Sequence, residues 1–234
     1  MSIPLRQYRA LAIITLLLGA CAPTDRPDKQ AGYTVLNAAP GHATATRDSV
    51  EVVEFFMYSC SHCHAFDEPL NAWLQERPAI HFQRYPIAFS ARDVPLQRLY
   101  YAVQTLPNPA QLHRSIFAAI HQQKLTLDSE AAIVDYMVQL GIERGAFLAA
   151  YHAPAVQQHI DHVLALRHRY AIRAVPTLIV ADRFLTSPAM VEGSSPAADS
   201  SQAIEHATIR MLDQLVAQAE TAVTPPQAGQ HASP

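Results

Sequence analysis

Two cysteines of this 234-residue chain, Cys60 and Cys63, are separated only by Ser61 and His62. A disulfide between them closes a very small loop, which restricts the unfolded chain little and therefore adds little stability. Thiol–disulfide exchange, in contrast, needs an attacking thiolate and a second thiol that resolves the mixed disulfide. The spacing therefore favours a redox-active Cys60–Cys63 disulfide over a purely structural one.

The first of these cysteines opens a predicted helix. Apolar residues recur at helical spacing from Phe66 to Leu74. A sulfur at position 60 would face the unpaired N–H groups and the positive end of the helix dipole, which lower the pKa of a thiol. His62 would add a hydrogen-bond donor or a positive charge. Because a stabilised thiolate stabilises the reduced form, we expect Cys60 to be the nucleophile, Cys63 the resolving thiol, and the disulfide an oxidant.

Half of a zinc site is the alternative interpretation of the two cysteines. Zinc prefers four ligands, and the chain has no second Cys-x-x-Cys motif. His62 and His64 do not stand at a standard ligand spacing from the cysteines. We therefore expect no metal and no cofactor, although a lipid-anchored module with soft thiolate ligands stays open as a function of a different class.

The N-terminus resembles a processing signal. Arg6 and Arg9 precede an apolar stretch, residues 10–18, that is too short to span a bilayer. It ends in Leu-Gly-Ala-Cys, which resembles the lipobox of bacterial lipoproteins, where a signal peptidase cuts before the cysteine and that cysteine is acylated. We therefore predict a signal peptide over residues 1–20 and a lipid on Cys21. An ordinary secretory signal with a chance cysteine is the alternative.

Export has two consequences for the interpretation. Disulfides persist in exported proteins, so Cys60 and Cys63 can work as a redox pair. The residue after the lipidated cysteine is Ala22. By resemblance to other lipoproteins, an Asp at this position would favour the inner membrane, so Ala22 indicates transport to the outer membrane.

The order of the predicted elements indicates an α/β domain interrupted by helices. The dense apolar run from Val50 to Met57 predicts a central strand that is buried on both faces, and Ile80 to Tyr85 predicts a second central strand. The pattern is then helical from Val94 to about Tyr170, after which β character returns at Thr177. The predicted organisation is a tether over residues 21–32, a first α/β part over 33–92, a helical insertion over 93–165, a second α/β part over 166–220, and a disordered tail over 221–234.

The segment from Glu54 to His64, Glu-Phe-Phe-Met-Tyr-Ser-Cys-Ser-His-Cys-His, closely resembles the active-site segment of the DsbA family of periplasmic thiol–disulfide oxidoreductases. The resemblance implies a thioredoxin-like fold with an inserted all-helical domain. Ser61 stands where the family usually has a proline, which leaves the redox potential open.

A second segment, from Arg173 to Val180, resembles the loop and strand in which this family carries a cis proline facing the catalytic sulfurs. The resemblance implies that Pro176 is cis and that the backbone of Val175 binds an extended substrate. The alternative is a trans proline that merely begins a strand.

Glu54 stands six residues before Cys60, where this family and thioredoxins place a buried acid. Burial would raise the pKa of this carboxyl, which could then move protons to or from Cys63. The alternative is a solvated side chain at the sheet edge.

The resemblance implies a dithiol oxidase that acts on reduced exported proteins and is reoxidised by a DsbB-like membrane protein. The alternative within the class is a disulfide isomerase or reductase. Isomerases of this superfamily carry an N-terminal dimerisation domain, for which too few residues precede the catalytic strand, so a monomer is expected. The net charge of -3, without a long run of like charge, gives no indication of nucleic-acid binding.

Overall fold

A five-stranded mixed β-sheet forms the centre of the protein. The computed structural model describes residues 32–36, 49–194 and 200–223. The strands are β1 (Tyr33–Val35), β2 (Val50–Phe56), β3 (Ile80–Pro86), β4 (Thr177–Val180) and β5 (Phe184–Thr186). Their order across the sheet is β1-β5-β4-β2-β3, and only the β2–β3 pair is parallel within this sheet. The buried run that predicted a central strand does lie in the middle, between β3 and β4.

Eight α-helices surround the sheet in the part of the chain with described coordinates. They are α1 (Ser61–Gln75), α2 (Val94–Gln104), α3 (Pro109–His121), α4 (Glu130–Gln139), α5 (Arg144–Tyr151), α6 (Pro154–Arg169), α7 (Pro188–Ser194) and α8 (Ser201–Val223). Helices α2 to α6 follow one another between β3 and β4, as the helical insertion required. None of the helices within 32–36, 49–194 and 200–223 is long and apolar enough to cross a membrane.

Strand β2 carries apolar residues on both faces because both faces are covered. Val53 and Phe55 belong to a core shared with the inserted helices. Val50 and Val52 point to the opposite face and belong to a second core, formed with α1 and α8. Alternate residues of a strand face opposite sides of the sheet, so two cores require a continuous apolar run. Glu54 is the buried exception in this run.

Strand β3 is an edge strand, so its prediction as a central strand was wrong. It pairs only with β2, and most of its residues are partly exposed. The chain leaves β3 for the inserted helices, and no further strand covers the outer side of β3 in this sheet. The apolar character of β3 reflects packing on its faces, which sequence patterning does not distinguish from a central position.

Two predicted boundaries differ from the structure. The border between residues 165 and 166 falls inside α6, which continues to Arg169 and ends before Ala171, a residue with a left-handed φ of 51°. Helix α8 runs to Val223, three residues into the segment predicted to be a disordered tail. The signal peptide, Cys21, the tether up to residue 31, and the tail from residue 224 lie outside the described residues.

Candidate active site

Cys60 caps the N-terminus of α1 with its sulfur. Its backbone is extended, with φ -85° and ψ 118°, and its side chain accepts a hydrogen bond from the backbone N–H of Cys63 at 3.2 Å. An N-cap side chain satisfies one of the N–H groups that a helix leaves unpaired. The loop after β2 therefore places this sulfur at the positive end of the helix, as the sequence predicted.

The surroundings of Cys60 favour its thiolate. The pKa of Cys60 is lowered to about 6, and the hydrogen bond from the Cys63 thiol makes the largest contribution to this shift. Burial of the sulfur opposes the shift. The backbone N–H groups of Cys63 and His62, and then the charge of His62, lower the pKa further. The sequence interpretation identified the backbone groups and His62. It did not identify the thiol of Cys63 as the main donor.

Cys63 lies one turn further along α1, where its side chain is buried with an exposed fraction of 1%. Burial raises the pKa of Cys63 far above its ordinary value, and hydrogen bonding to Cys60 and the charges of Cys60 and Glu54 raise it further. Both cysteines are free thiols in this structure. The pair therefore consists of an accessible sulfur that ionises easily and a buried one that keeps its proton.

The loop before β4 faces the first of these sulfurs. The Val175–Pro176 peptide bond is cis, and the carbonyl oxygen of Val175 lies 3.5 Å from the sulfur of Cys60. Beside this contact is a cavity of about 190 Å³, whose walls include His62, Pro176 and Ile204. A substrate bound in this cavity would lie against both the reactive sulfur and the backbone of the loop.

Glu54 is buried on the α1 side of the sheet and pairs with a basic residue that the sequence interpretation overlooked. Arg84 on β3 is its neighbour in the parallel register. The Nε atom of Arg84 donates to the Oε2 atom of Glu54 at 2.7 Å. Arg84 is the one permanently charged residue of the predicted strand Ile80 to Tyr85, and this was the available signal, since a buried charge requires a partner. The solvated-edge alternative for Glu54 is excluded by its exposed fraction of 2%.

Three further side chains extend this ion pair. Asp67 on α1 forms an ion pair with Arg84 at 3.0 Å and accepts a hydrogen bond from Nε2 of His113 at 3.2 Å. The other ring nitrogen of His113 lies 2.8 Å from the hydroxyl oxygen of Tyr58, two residues before Cys60. We name the set formed by Glu54, Arg84, Asp67, His113 and Tyr58 the buried polar network.

Protonation in the buried polar network is set mainly by burial. Burial raises the pKa of Glu54, and the charge and hydrogen bond of Arg84 only partly oppose this. Burial also acts to raise the pKa of Asp67, but the His113 hydrogen bond and the charge of Arg84 outweigh it, so that the pKa is lowered overall. The pKa of His113 is lowered, chiefly by burial. Glu54 is therefore the carboxyl that keeps a proton most readily.

The arrangement fits chemistry at two thiols better than metal binding. Within the described parts of the chain, no three or more His, Cys, Asp or Glu side chains form a group that could hold a metal ion. An acidic thiol, a neutral partner thiol and a buried carboxyl are the groups that thiol–disulfide exchange uses.

Known proteins share both the sequence and the fold. A family model described as a DSBA-like thioredoxin domain matches residues 51–205. The thiol:disulfide interchange protein DsbA of Burkholderia cepacia is 36% identical over 152 residues, which are 64% of this chain and 72% of the relative. The protein of the same name from Bordetella parapertussis is 30% identical over 210 residues, which are 89% of this chain and 92% of the relative.

Solved structures confirm the predicted fold class. The crystal structure of Pseudomonas aeruginosa DsbA matches with a TM-score of 0.71 and 23% identity, over 82% of this chain and 93% of that one. The oxidoreductase DsbA from Xylella fastidiosa matches with a TM-score of 0.66 and 22% identity, over 81% and 96%. The fold is thus thioredoxin-like with an inserted helical domain, and the chain belongs to the DsbA-like thioredoxin domain family.

Proposed function

We propose that this protein is a periplasmic thiol–disulfide oxidoreductase that introduces disulfide bonds into exported proteins through Cys60 and Cys63. The observation that carries the proposal is the contrast between the two thiols: Cys60 is half-exposed with a pKa of about 6, whereas Cys63 is buried with a raised pKa. The relatives named thiol:disulfide interchange proteins support the same assignment.

The reaction starts from the oxidised Cys60–Cys63 pair. A substrate thiolate attacks the accessible sulfur of Cys60, and the bond to Cys63 breaks with its electron pair on Cys63. A second substrate thiolate then attacks the substrate sulfur of the mixed disulfide and releases Cys60 as a thiolate, which is a good leaving group because its pKa is low. Two electrons pass to the enzyme, one proton ends on Cys63, and the other proton enters the solvent.

Glu54 is the proposed source of the proton that Cys63 takes up. A negative charge on Glu54 would raise the pKa of Cys63, so the protonation states of the two groups are coupled electrostatically across the buried region. A carboxyl with a raised pKa still carries its proton when the thiolate of Cys63 forms, and it can donate that proton inside the protein. Glu54 then takes up one of the two protons released by the substrate, so that the enzyme gains one proton in total.

Substrate binding is assigned to the cis-proline loop and the adjoining cavity. The backbone of Val175 can pair with an extended peptide, as in β-strand addition. The cavity between His62, Pro176 and α8 then receives a neighbouring side chain of that peptide. This arrangement would place a substrate cysteine against the sulfur of Cys60.

The direction of exchange follows from the thiolate. A thiolate stabilised only in the reduced form makes the disulfide a stronger oxidant, by about 30 mV for each 1.4 kcal/mol. Because Cys60 is partly exposed to solvent, stabilisation of its thiolate raises the reduction potential less than it would for a fully buried thiolate. We expect a reduction potential more oxidising than about −180 mV, measured by equilibration with glutathione. A potential near about −270 mV would instead indicate a reductase.

The reduced enzyme needs an electron acceptor, for which we propose a DsbB-like membrane protein. We also propose that acylation at Cys21 anchors the protein, as a monomer, to a membrane, the outer membrane being favoured by Ala22. A Cys21→Ser variant should release the protein from membranes and keep its exchange activity in vitro. Persistent membrane association of this variant would contradict the lipid anchor.

A further inference from the structure

The buried polar network contains one more acidic group than it has permanent positive charges. Glu54 and Asp67 are both acids, whereas Arg84 is the cation that contacts them. All three side chains have exposed fractions of 13% or less. Because an uncompensated charge in such a region is costly, the network should hold one proton in addition to the charge of Arg84. The question is which group carries it.

The hydrogen-bond donors are distributed unequally between the two carboxyls. Asp67 is in contact with donors from Arg84, from His113 at 3.2 Å and from Asn71 at 3.0 Å. Glu54 accepts a hydrogen bond from Arg84, through Oε2 at 2.7 Å. Hydrogen bonds to a carboxylate stabilise its ionised form, so Asp67 is the anion and Glu54 the acid. Oε2 of Glu54 keeps the contact with Arg84, so the proton belongs on Oε1, which does not take part in that contact.

His113 can support Asp67 only if its Nε2 atom carries a hydrogen. Tyr58 selects this arrangement, because its hydroxyl lies 2.8 Å from Nδ1 and can donate to that atom. The phenol is itself buried, with an exposed fraction of 1%, and a doubly protonated His113 would take away the acceptor for its hydrogen. Tyr58 therefore favours a neutral His113 with its hydrogen directed at Asp67.

The neighbours of His113 act in both directions on its protonation. The hydrogen bond and the charge of Asp67 favour a protonated ring, whereas burial, which is the largest influence, and the positive charges of Arg84 and Arg114 disfavour it, so the pKa of His113 is lowered overall. Tyr100 on α2 interacts with Glu54 and Arg84, and burial raises its pKa well above the ordinary value, so it is a neutral phenol at physiological pH. Cys63 faces Glu54 as a neutral thiol in the reduced protein.

We propose that His113 and Tyr58 are positioning residues, which keep Asp67 ionised and thereby leave the single proton of the network on Glu54, beside Cys63. The inference rests on the proposed function, in which Cys63 takes up a proton when the enzyme disulfide is reduced. Helix α3 of the insertion thus contributes to the redox centre through His113, which lies 46 positions from Asp67 and 55 from Tyr58 in the sequence.

The test compares two substitutions at one position. In His113→Phe, the ring volume among the surrounding aromatic side chains is kept but the donor to Asp67 is lost. His113→Gln can keep an N–H donor near the position of Nε2, and it cannot become positively charged. We expect the Phe variant to lower the pH at which Glu54 titrates by about 0.5 to 1 unit, the effect of one hydrogen bond, and the Gln variant to restore the wild-type value.

Two measurements follow the proton. Carbon-13 NMR of the Glu54 carboxyl gives its titration, and nitrogen-15 NMR of His113 gives its tautomer. The wild-type ring should be neutral with its hydrogen on Nε2 between about pH 5 and 8, whereas Tyr58→Phe should yield a mixture of tautomers. Above the lowered titration midpoint of Glu54, a peptide dithiol should reduce the disulfide of the His113→Phe enzyme about three- to tenfold more slowly than that of the wild type. The pH profile of this reduction rate should also be displaced to lower pH.

A positively charged His113 in the wild-type protein at neutral pH would overturn the inference, even if no variant folds. A Glu54 titration that is equal in wild type and His113→Phe would also overturn it, since a merely structural residue would change stability alone. If the titrations behave as expected but the wild-type protein exchanges no disulfides, the proposed function fails and the placement of the proton stands.

Discussion

The two cysteines lie one turn apart at the N-terminus of the same helix, yet their surroundings differ in almost every respect. Cys60 is half-exposed, receives N–H and S–H donors, and faces the backbone of Val175. Cys63 is buried, and the acid that interacts with it is Glu54 of the buried polar network. The pKa of the first thiol is lowered and that of the second is raised. The comparison teaches that the two roles arise from burial and neighbours, because the residue type and the helix are shared.

The largest expected effect comes from removing one thiol at a time. Cys60→Ser should reduce the oxidation of a peptide dithiol to the uncatalysed rate, because the accessible electrophilic sulfur is lost. Cys63→Ser should also abolish turnover, because the enzyme disulfide cannot form. With a substrate that contains a disulfide, however, its Cys60 thiolate should attack that bond and accumulate mixed disulfides, because no enzyme thiol is left to release them. Non-reducing electrophoresis and mass spectrometry distinguish the two variants. Adducts on Cys63 in the Cys60→Ser protein would reverse the assignment.

The next effect concerns stability on the Cys63 side. Arg84→Met removes the cation of the buried polar network and leaves Glu54 and Asp67 without it, so unfolding in urea at pH 7 should become easier by about 3 to 5 kcal/mol. The matched control is Arg77→Met, since Arg77 pairs with Asp213 at the surface and should cost about 1 kcal/mol or less.

The pH dependence of the Arg84→Met deficit provides a second check. The deficit should shrink as the pH falls and the two carboxyls become protonated. Equal losses from the buried and the surface arginine would show that the network contributes no more than an exposed ion pair.

The two thiols should also impose opposite pH dependences on the stability of the reduced protein. The folded pKa of Cys60, about 6, lies below the unfolded value of about 8.5, so its contribution is complete above about pH 8.5 and is lost as the pH falls through 6. The folded pKa of Cys63 is raised, so its contribution is present below about pH 8.5 and is lost as the pH rises further.

The difference in unfolding free energy between reduced and oxidised protein isolates this effect, because other groups titrate in both forms. It should rise between about pH 6 and 8.5 and fall above that range. A flat difference from pH 5 to 9 would show that Cys60 titrates as an ordinary thiol.

The smallest expected effect is a change in the pKa of Cys60, which compares how much Cys63 and His62 each stabilise its thiolate. The Cys63 thiol is the largest stabilising influence on Cys60, and the charge of His62 is the smallest of those identified. Cys63→Ala should therefore raise the pKa of Cys60 more than His62→Ala does, when each is followed by thiolate absorbance in the ultraviolet. A larger rise in the His62 variant would assign the main role to the imidazole.

Local patterns in the sequence were sufficient for most of the architecture. The apolar run of β2, the helix beginning at Cys60 and the block of inserted helices were predicted close to their observed bounds. The short helix α7 was not predicted, since seven residues between two loops carry too little periodicity. The edge position of β3 was missed as well, because the order of strands depends on contacts between distant segments.

The residues of the candidate active site also fall into two groups, those that local sequence patterns predict and those that only the folded structure identifies. Two thiols separated by two residues at a helix start, a nearby carboxyl and a proline loop are each local features, and the linear sequence contains them in full. Arg84 stands 30 residues from Glu54 and His113 stands 46 from Asp67, and no local pattern relates such positions. The sequence thus specifies which groups can react, whereas the packing of β3, α1 and α3 around Glu54 determines which of them keeps a proton, because desolvation and hydrogen bonding depend on neighbours brought together by folding.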